Sequence, residues 1–319
     1  MINCEKEIKA YWDEKVKLLQ RDVKTLTGHR DANMKKLKKR LKEDDFPLYN
    51  EEINQGSYSM KTIIQHPKND YDIDVGIVFK EEDLKSKSKN DPLKIRQYIA
   101  NLMKDQRFKE QPDCKKNCVR IHYNDGYHID IPIYKKCINS SDELILKLAS
   151  SDWEESDAKS INKWFREQKK EKLELKKLVQ LTKKWSRSRI SWNLPSGLIL
   201  TILTDEKYVE KTRLDERFYW TLKSLYERLR NDKEVYNPTN NDEITLSEKH
   251  KKKVENLYDR LHEMFDVDGK VNFSELETTQ DKKKALFIWK KFFNDDFFDK
   301  QIQVGNESEI VEKNKPWLA

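Results

Sequence analysis

Between residues 4 and 27 the apolar positions Ile8, Trp12, Val16, Leu19, Val23 and Leu26 recur in alternating steps of four and three. That spacing predicts one stripe on a single long helix. A second helical stretch over 31–43 sets Met34, Leu37 and Leu41 among basic residues, with Asp31 as its expected N-cap. The period then changes. Residues 70–79 (DYDIDVGIVF) alternate and end in an apolar run, and 117–124 and 127–136 alternate on either side of Asp125-Gly126, a dipeptide that marks a hairpin. From about 143 onward the helical period dominates, with helices expected over 170–185, 195–205, 214–230, 248–265 and 280–293. The Lys/Ser-rich stretch 83–91 is expected as a mobile loop.

This pattern predicts an α+β protein of two lobes. Residues 1–150 would form a long N-terminal helix and a small mixed sheet, and residues 151–319 a helical lobe. Composition narrows the picture. With 7 Gly and 8 Pro in 319 residues, a barrel or sandwich of many tight turns is excluded, and 10% aromatics exclude a disordered chain. The formal charge of +7 from 64 basic and 57 acidic residues suits a polyanionic partner, and equally a solvated surface on which Lys and Glu mostly cancel. No apolar run reaches the ~18–20 residues of a membrane helix. The charged N-terminus lacks a signal-peptide core. The four cysteines are sparse, which points to a reducing, cytoplasmic compartment with no membrane.

The chemistry sits in the strands. Asp72 and Asp74 alternate with Ile73 and Val75 and share one face, about 6.6 Å apart along the strand. Two adjacent carboxylates repel unless water, a cation or a basic side chain neutralises them. Asp130, in His-Ile-Asp-Ile-Pro, likewise stands opposite Ile129 and Ile131, and a neighbouring strand would bring it to the same spot. Spacing alone leaves two readings open: a metal site, or the polar face of exposed strands. Gln55-Gly56-Ser57-Tyr58, with Ser57 fifteen residues before Asp72, places a glycine and a hydroxyl where backbone N–H groups could cradle a phosphate. There is no Walker A, Rossmann or kinase signature.

Gln55-Gly56-Ser57-Tyr58, Asp72-Ile73-Asp74 and His128-Ile129-Asp130-Ile131-Pro132 together resemble the polymerase-β-type nucleotidyltransferase core. More closely, they resemble the bacterial CD-NTases of anti-phage CBASS systems, relatives of cyclic GMP–AMP synthase and oligoadenylate synthetase. The likeness spans about 50–136 and resumes at 176–188 and 192–204. It implies a polymerase-β-like fold with a long N-terminal spine helix, NTP substrates including ATP, and Mg²⁺ (or Mn²⁺) held by Asp72, Asp74 and Asp130. The last of these would also help activate an attacking ribose hydroxyl. By the same likeness Gln55, Gly56 and Ser57 contact the donor triphosphate. Lys183 matches a triphosphate-binding lysine, with Lys184 as the register-shifted alternative and Leu181 and Trp185 fixing a buried side. Ser196 matches a position opening a long helix, where it is an expected N-cap. The implied product is a cyclic di- or trinucleotide, released with pyrophosphate as a second messenger.

Several features stand apart from that core. Tyr208 is a candidate base-stacking or core residue. The basic helix over 31–43 makes RNA a candidate ligand. The C-terminal Ala319 is a candidate for conjugation by an E1/E2-like partner, against an ordinary frayed terminus. Cys114 and Cys118 with His122 and His128 match no zinc spacing. The loop around Gly269 would put Met264 at the first ligand position of an EF-hand, where an oxygen is required.

Overall fold

A computed structural model of the chain describes residues 1–67, 71–106, 108, 110–124, 126–156, 158–266 and 272–302; Asp125, Gly269 and Ala319 lie outside the described residues. In chain order the elements are α1 (Glu5–Tyr11), α2 (Gln20–Glu43), β1 (Glu51–Gln55), α3 (Gly56–Met60), β2 (Tyr71–Lys80), α4 (Glu81–Ser86) and α5 (Pro92–Met103). Next come β3 (Asp113–Cys114), β4 (Val119–His122), β5 (Tyr127–Ile131), β6 (Ile133–Ile138), β7 (Leu144–Ala149) and β8 (Trp153–Glu155). Helices α6 (Ala158–Glu171), α7 (Leu175–Ser186), α8 (Gly197–Glu206), α9 (Leu214–Asn231), α10 (Glu248–Phe265) and α11 (Lys282–Phe293) complete the chain. None of the described helices is long and apolar enough to cross a membrane.

The chain divides into two compact units, one of residues 18–167 and one of residues 1–17 with those from 168 on. These limits differ from the division expected at 150/151. The first residues go with the helices because the Cys4 N–H donates to Asp215 (2.8 Å) and the Trp12 indole to Gln180 (3.0 Å). Residues 151–167 go with the sheet. There β8 pairs with β7, Lys159 meets Glu51 at 2.7 Å, and the Asn162 amide donates to the Asn54 carbonyl at 2.8 Å.

The expected single helix over 4–27 is not continuous. A π-turn at Trp12–Val16 ends in extended backbone at Lys17 and Leu19, and α2 then runs unbroken through Asp31, which is helical interior and not an N-cap. The stripe fails because its two ends serve different cores. Ile8, Trp12 and Val16 are buried in the helical unit, whereas Leu18 and Leu26 pack with Tyr71, Ile73 and Tyr127. Val23, placed on the stripe by spacing, is exposed. Part of the basic run on α2 is tied down internally: Lys36 to Asp105 and Lys38 to Glu52, each at 2.8 Å, and Arg40 to the Leu102 carbonyl.

In the 18–167 unit, β2 lies between β1, which pairs antiparallel with it, and the parallel pair β5 and β6. β5 and β6 keep one register against β2 across Pro132, whose carbonyl accepts from the Ile77 N–H (3.0 Å). One face of the sheet is the core. Val75, Ile77 and Phe79 join Ile129, Ile131 and Ile133 there, under Met34, Leu37 and Leu41 of α2 and Ile95 and Ile99 of α5. Sequence patterning missed β1, β3, β7 and β8. Leu144–Ala149 was expected as helix, yet it completes the sheet against β6, because a short apolar run carries no period that separates strand from helix. The expected loop over 83–91 instead begins within α4, whose Leu84 is fully buried.

In the helical unit, the helix expected over 170–185 is two helices. Glu174 interrupts it in the left-handed region (φ 57°), with its carboxylate held by Arg217 at 3.0 Å. The core is aromatic: Trp185 stacks on Phe292 (5.3 Å), and Phe292 on Phe273 (4.1 Å). The expected α10 has the bounds that periodicity gave it.

Candidate active site

Alternation along β2 puts Asp72, Asp74, Gly76 and Val78 on the face opposite the core. Pairing then decides what they meet. Asp74 is the direct partner of Asp130 across the parallel β2/β5 pair, and Asp72 of His128. Directly paired residues share a face, so the three carboxylates stand together. Asp72 is exposed, Asp74 partly buried and Asp130 buried. On the other side of Asp130, the antiparallel β4 brings Arg120 opposite it. The guanidinium grips Asp130 in a fork, Nε to Oδ1 and Nη2 to Oδ2, both at 2.7 Å. Its Nη2 also reaches within 3.8 Å of Asp72, and His128 Nδ1 lies 3.4 Å from the same carboxylate.

Asp74 is the carboxylate with the least help. Burial first, then the Asp130 and Asp72 charges, push its pKa from 3.8 up to about 7, against an opposing pull from Arg120. A desolvated carboxylate beside two others calls for a cation, the condition a divalent metal meets. The donor set is all oxygen around Asp74, which fits Mg²⁺. The side chains are not already drawn to a point: among the described residues no three acidic, His or Cys groups converge as a metal site, and Asp130 is engaged by Arg120.

The Gln55-Gly56-Ser57 segment is the turn from β1 into α3, and Gln55 is the partner of Asp74 across β1/β2. Gly56 has φ +57°, and a Cβ there would collide with the Asp74 carboxylate. The glycine is thus required twice, for its backbone and for the space. The Gln55 side chain turns away to the Tyr134 hydroxyl (3.0 Å). They meet over Gly76, where a Cβ would lie 2.5 Å from Gln55 Nε2 and 2.7 Å from the Tyr134 ring.

In the helical unit, Lys183 is buried on α7 between fully buried Leu181 and Trp185. Burial, with the Arg187 charge added, lowers its pKa from 10.5 to about 7. A Cβ on Gly197 would lie 3.4 Å from its Nζ, so the amine sits at the first residue of α8. Ser196 caps that helix, its hydroxyl accepting from the Ile199 N–H (3.4 Å). Lys184 faces differently, its electrostatic neighbours being Asp295 and Lys15. Tyr208 is half-buried and not in the core, its hydroxyl donating to the Leu173 carbonyl (3.0 Å).

Residues 51–134 match the family of cyclic GMP-AMP synthase DncV-like nucleotidyltransferase domains. A cyclic GMP-AMP synthase of Escherichia albertii is 27% identical over 203 residues, 60% of this chain; the match spans 44% of that relative, less than half its length. Two solved structures share the fold over nearly the whole chain. A mutant of the Vibrio cholerae di-nucleotide cyclase DncV, in complex with ATP, GTP and 5MTHFGLU2, has a TM-score of 0.70 at 15% identity, covering 94% of this chain and 98% of that one. The E. coli MS115-1 CdnC:HORMA-deltaN complex has a TM-score of 0.68 at 14% identity, covering 91% and 96%.

Within the matched segment, sequence reasoning missed Arg120, His128, Gly76 and Tyr134. Arg120 was the most accessible of them. It alternates with Val119 and Ile121, and the hairpin around residue 125 brings it opposite Asp130. A two-residue Asp-Gly turn would have shifted that pairing by one. The observed pairing closes instead with Tyr123 N–H donating to the Tyr127 carbonyl (2.9 Å), and Gly126 has positive φ. Gly76 carried no signal, because its role appears only once Gln55 and Tyr134 are known to meet above it.

Proposed function

We propose that the protein is a nucleotidyltransferase that joins nucleoside triphosphates, ATP among them, into a cyclic di- or trinucleotide with release of pyrophosphate. This product would serve as the second messenger of an anti-phage (CBASS) system. One observation carries the reading: Asp72 and Asp74 on one strand, with Asp130 directly opposite Asp74 and Gly56 against its carboxylate, inside a segment matching the DncV-like domain. Asp72 and Asp74 would hold Mg²⁺ or Mn²⁺, with Asp130 as third ligand, and such ions supply Lewis-acid stabilisation to phosphoryl oxygens.

The chain's own groups do the rest. The Gly56–Ser57 turn offers backbone N–H groups to the donor phosphates beside Asp74. Lys183 and the α8 N-terminus bind phosphate negative charge, and a lysine whose burial disfavours its charge gains most from an anionic ligand. The acceptor's ribose hydroxyl attacks the α-phosphorus; the new P–O bond forms as the bond to the departing pyrophosphate breaks, and Asp130 takes the hydroxyl proton. Ring closure repeats the same chemistry on the linear intermediate.

A protein partner is part of this reading, as CdnC is found in complex with HORMA-deltaN; an E1/E2-like partner acting at Ala319 is the alternative. The function is tested by incubating the protein with the four labelled NTPs and Mg²⁺, without acceptor, followed by phosphatase and mass spectrometry. A phosphatase-resistant cyclic product lost in Asp74→Asn supports it. A linear product, or one needing added RNA, would replace cyclisation with oligonucleotide synthesis or RNA modification.

A further inference from the structure

We propose that Arg120 is a built-in counter-ion for the carboxylate face, holding Asp130 while no divalent cation is bound and giving it up when one binds. The inference rests on the metal-site reading above.

Three carboxylates share one sheet face, and Asp130 lies one strand spacing from Asp74, about 4.8 Å in the hydrogen-bonding direction. No described side chain forms a hydrogen bond or ion pair with Asp74. A positive charge reaches this face from β4. The Arg120 fork engages both oxygens of Asp130 at 2.7 Å and points its Nη2 toward Asp72 at 3.8 Å. A cation shared by Asp74 and Asp130 would have to enter beside that guanidinium. Like charges in a partly desolvated site, competing for the same oxygens, make the two arrangements alternatives.

Arg120 also has somewhere to go. Its side chain is 29% exposed while that of Asp130 is 10% exposed, so the arginine can leave more readily than the aspartate. Across the opposite edge of β4, Asp113 is the direct partner of Arg120 in the β3/β4 pairing. That carboxylate is 53% exposed and is bound at present by Lys115. Arg120 therefore stands between two acids on one face, gripping the buried one and paired in register with the exposed one. A structural salt bridge needs only the first. The second gives the guanidinium a resting place when Asp130 is claimed.

The test measures Mn²⁺ binding to the full chain without nucleotide, following free Mn²⁺ by electron paramagnetic resonance. Wild type is compared with Arg120→Gln, Arg120→Lys and Asp72→Asn/Asp74→Asn. Arg120→Gln is expected to tighten Mn²⁺ binding on the order of ten- to a hundredfold, the factor corresponding to one charge-assisted bidentate pair. Arg120→Lys keeps the charge and loses the fork, so it tightens binding by a smaller factor. Both melt lower than wild type without metal, by about 2–4 °C, and the gap closes at saturating Mn²⁺. Unchanged or weaker Mn²⁺ binding in Arg120→Gln overturns the proposal, as does an Arg120→Lys affinity identical to wild type. If the double aspartate variant binds Mn²⁺ as wild type does, the metal lies elsewhere, and the site reading falls with the proposal.

Discussion

Asp74, partly buried, and Lys183, buried, are groups of opposite charge in different units, and the pKa of each is pushed to about 7. Burial is the leading cause in each, yet the surroundings differ. Asp74 stands among like charges, Asp130 and Asp72, with Arg120 as partial relief. For Lys183 the like charge of Arg187 adds to the effect of burial, and both lower its pKa. The aspartate is therefore a group whose charged form a cation would favour, and the lysine one whose charged form an anion would favour. Metal and phosphate are the two species a nucleotidyl transfer brings together. A fold spends stability on such groups when their ligands return it.

The largest expected effect breaks the aspartate half of this comparison. Asp74→Asn should lower nucleotidyl transfer by roughly 10³-fold or more, since a neutral amide cannot balance a metal. The same change removes a repelled carboxylate, so the metal-free protein should melt higher than wild type at pH 8. Loss of activity together with a lower melting temperature would mean that Asp74 is structural.

Next comes Lys183→Met, with about a 10²-fold loss in kcat/KM for NTPs, the usual scale for removing one electrostatic stabiliser of transferred phosphate. The pH dependence sharpens it. Between about 7 and 10.5 the unfolded chain holds a proton on this lysine that the folded protein lacks. Stability should therefore rise with pH through that window, by up to about 1.4 kcal/mol per pH unit, and Lys183→Met should flatten the rise. ATP binding measured without metal runs the other way, weakening above pH 7 as the ammonium is lost. Lys183→Arg, always charged, should erase that trend; an unchanged slope in the arginine variant would assign the titration to another group.

The two sites were unequally legible in the sequence. The acid face could be read from a period of two, which put Asp72 and Asp74 together and Ile73, Val75, Ile129 and Ile131 behind them, and each of those four is fully buried. What β2 and β5 do to each other is a register, and only the inferred adjacency of two strands brought Asp130 in. Arg120 was missed because its place opposite Asp130 is likewise a matter of strand register. Lys183 came from family likeness and from its apolar neighbours; its depth and its place over Gly197 are tertiary facts. The N-terminal stripe misled for a physical reason: periodicity reports which face is apolar, not which core receives it, and the chain changes cores between Val16 and Leu18.

Glycines offer a smaller and cleaner test. Gly56→Ala forces a left-handed residue and a collision with Asp74, which should cost about 1–3 kcal/mol and reduce activity per folded molecule. Gly28→Ala, in the exposed middle of α2 with nothing within 4 Å of the new Cβ, should instead stabilise by about 0.5–1 kcal/mol. Denaturant titration of both variants separates the effect of the site from that of helix propensity, since the two have opposite signs. Equal and mild effects would remove Gly56 from the carboxylate face.

The smallest effect bears on the lysine half. Ser196 caps α8, and Ser196→Ala should cost about 1 kcal/mol, read as a lower melting temperature. That outcome follows from capping alone and says nothing of phosphate. Ser196→Asp separates the two roles. Aspartate caps as well as serine, its charge suits a helix N-terminus, and Lys183 stands beside that terminus, so this variant should keep or gain stability. If the terminus receives triphosphate, the same carboxylate repels it, and ATP affinity should fall by about tenfold, the repulsion of one close like charge. A stable Ser196→Asp protein with unaltered ATP affinity would leave Ser196 a cap only, and would leave Lys183 without the helix terminus as its ally.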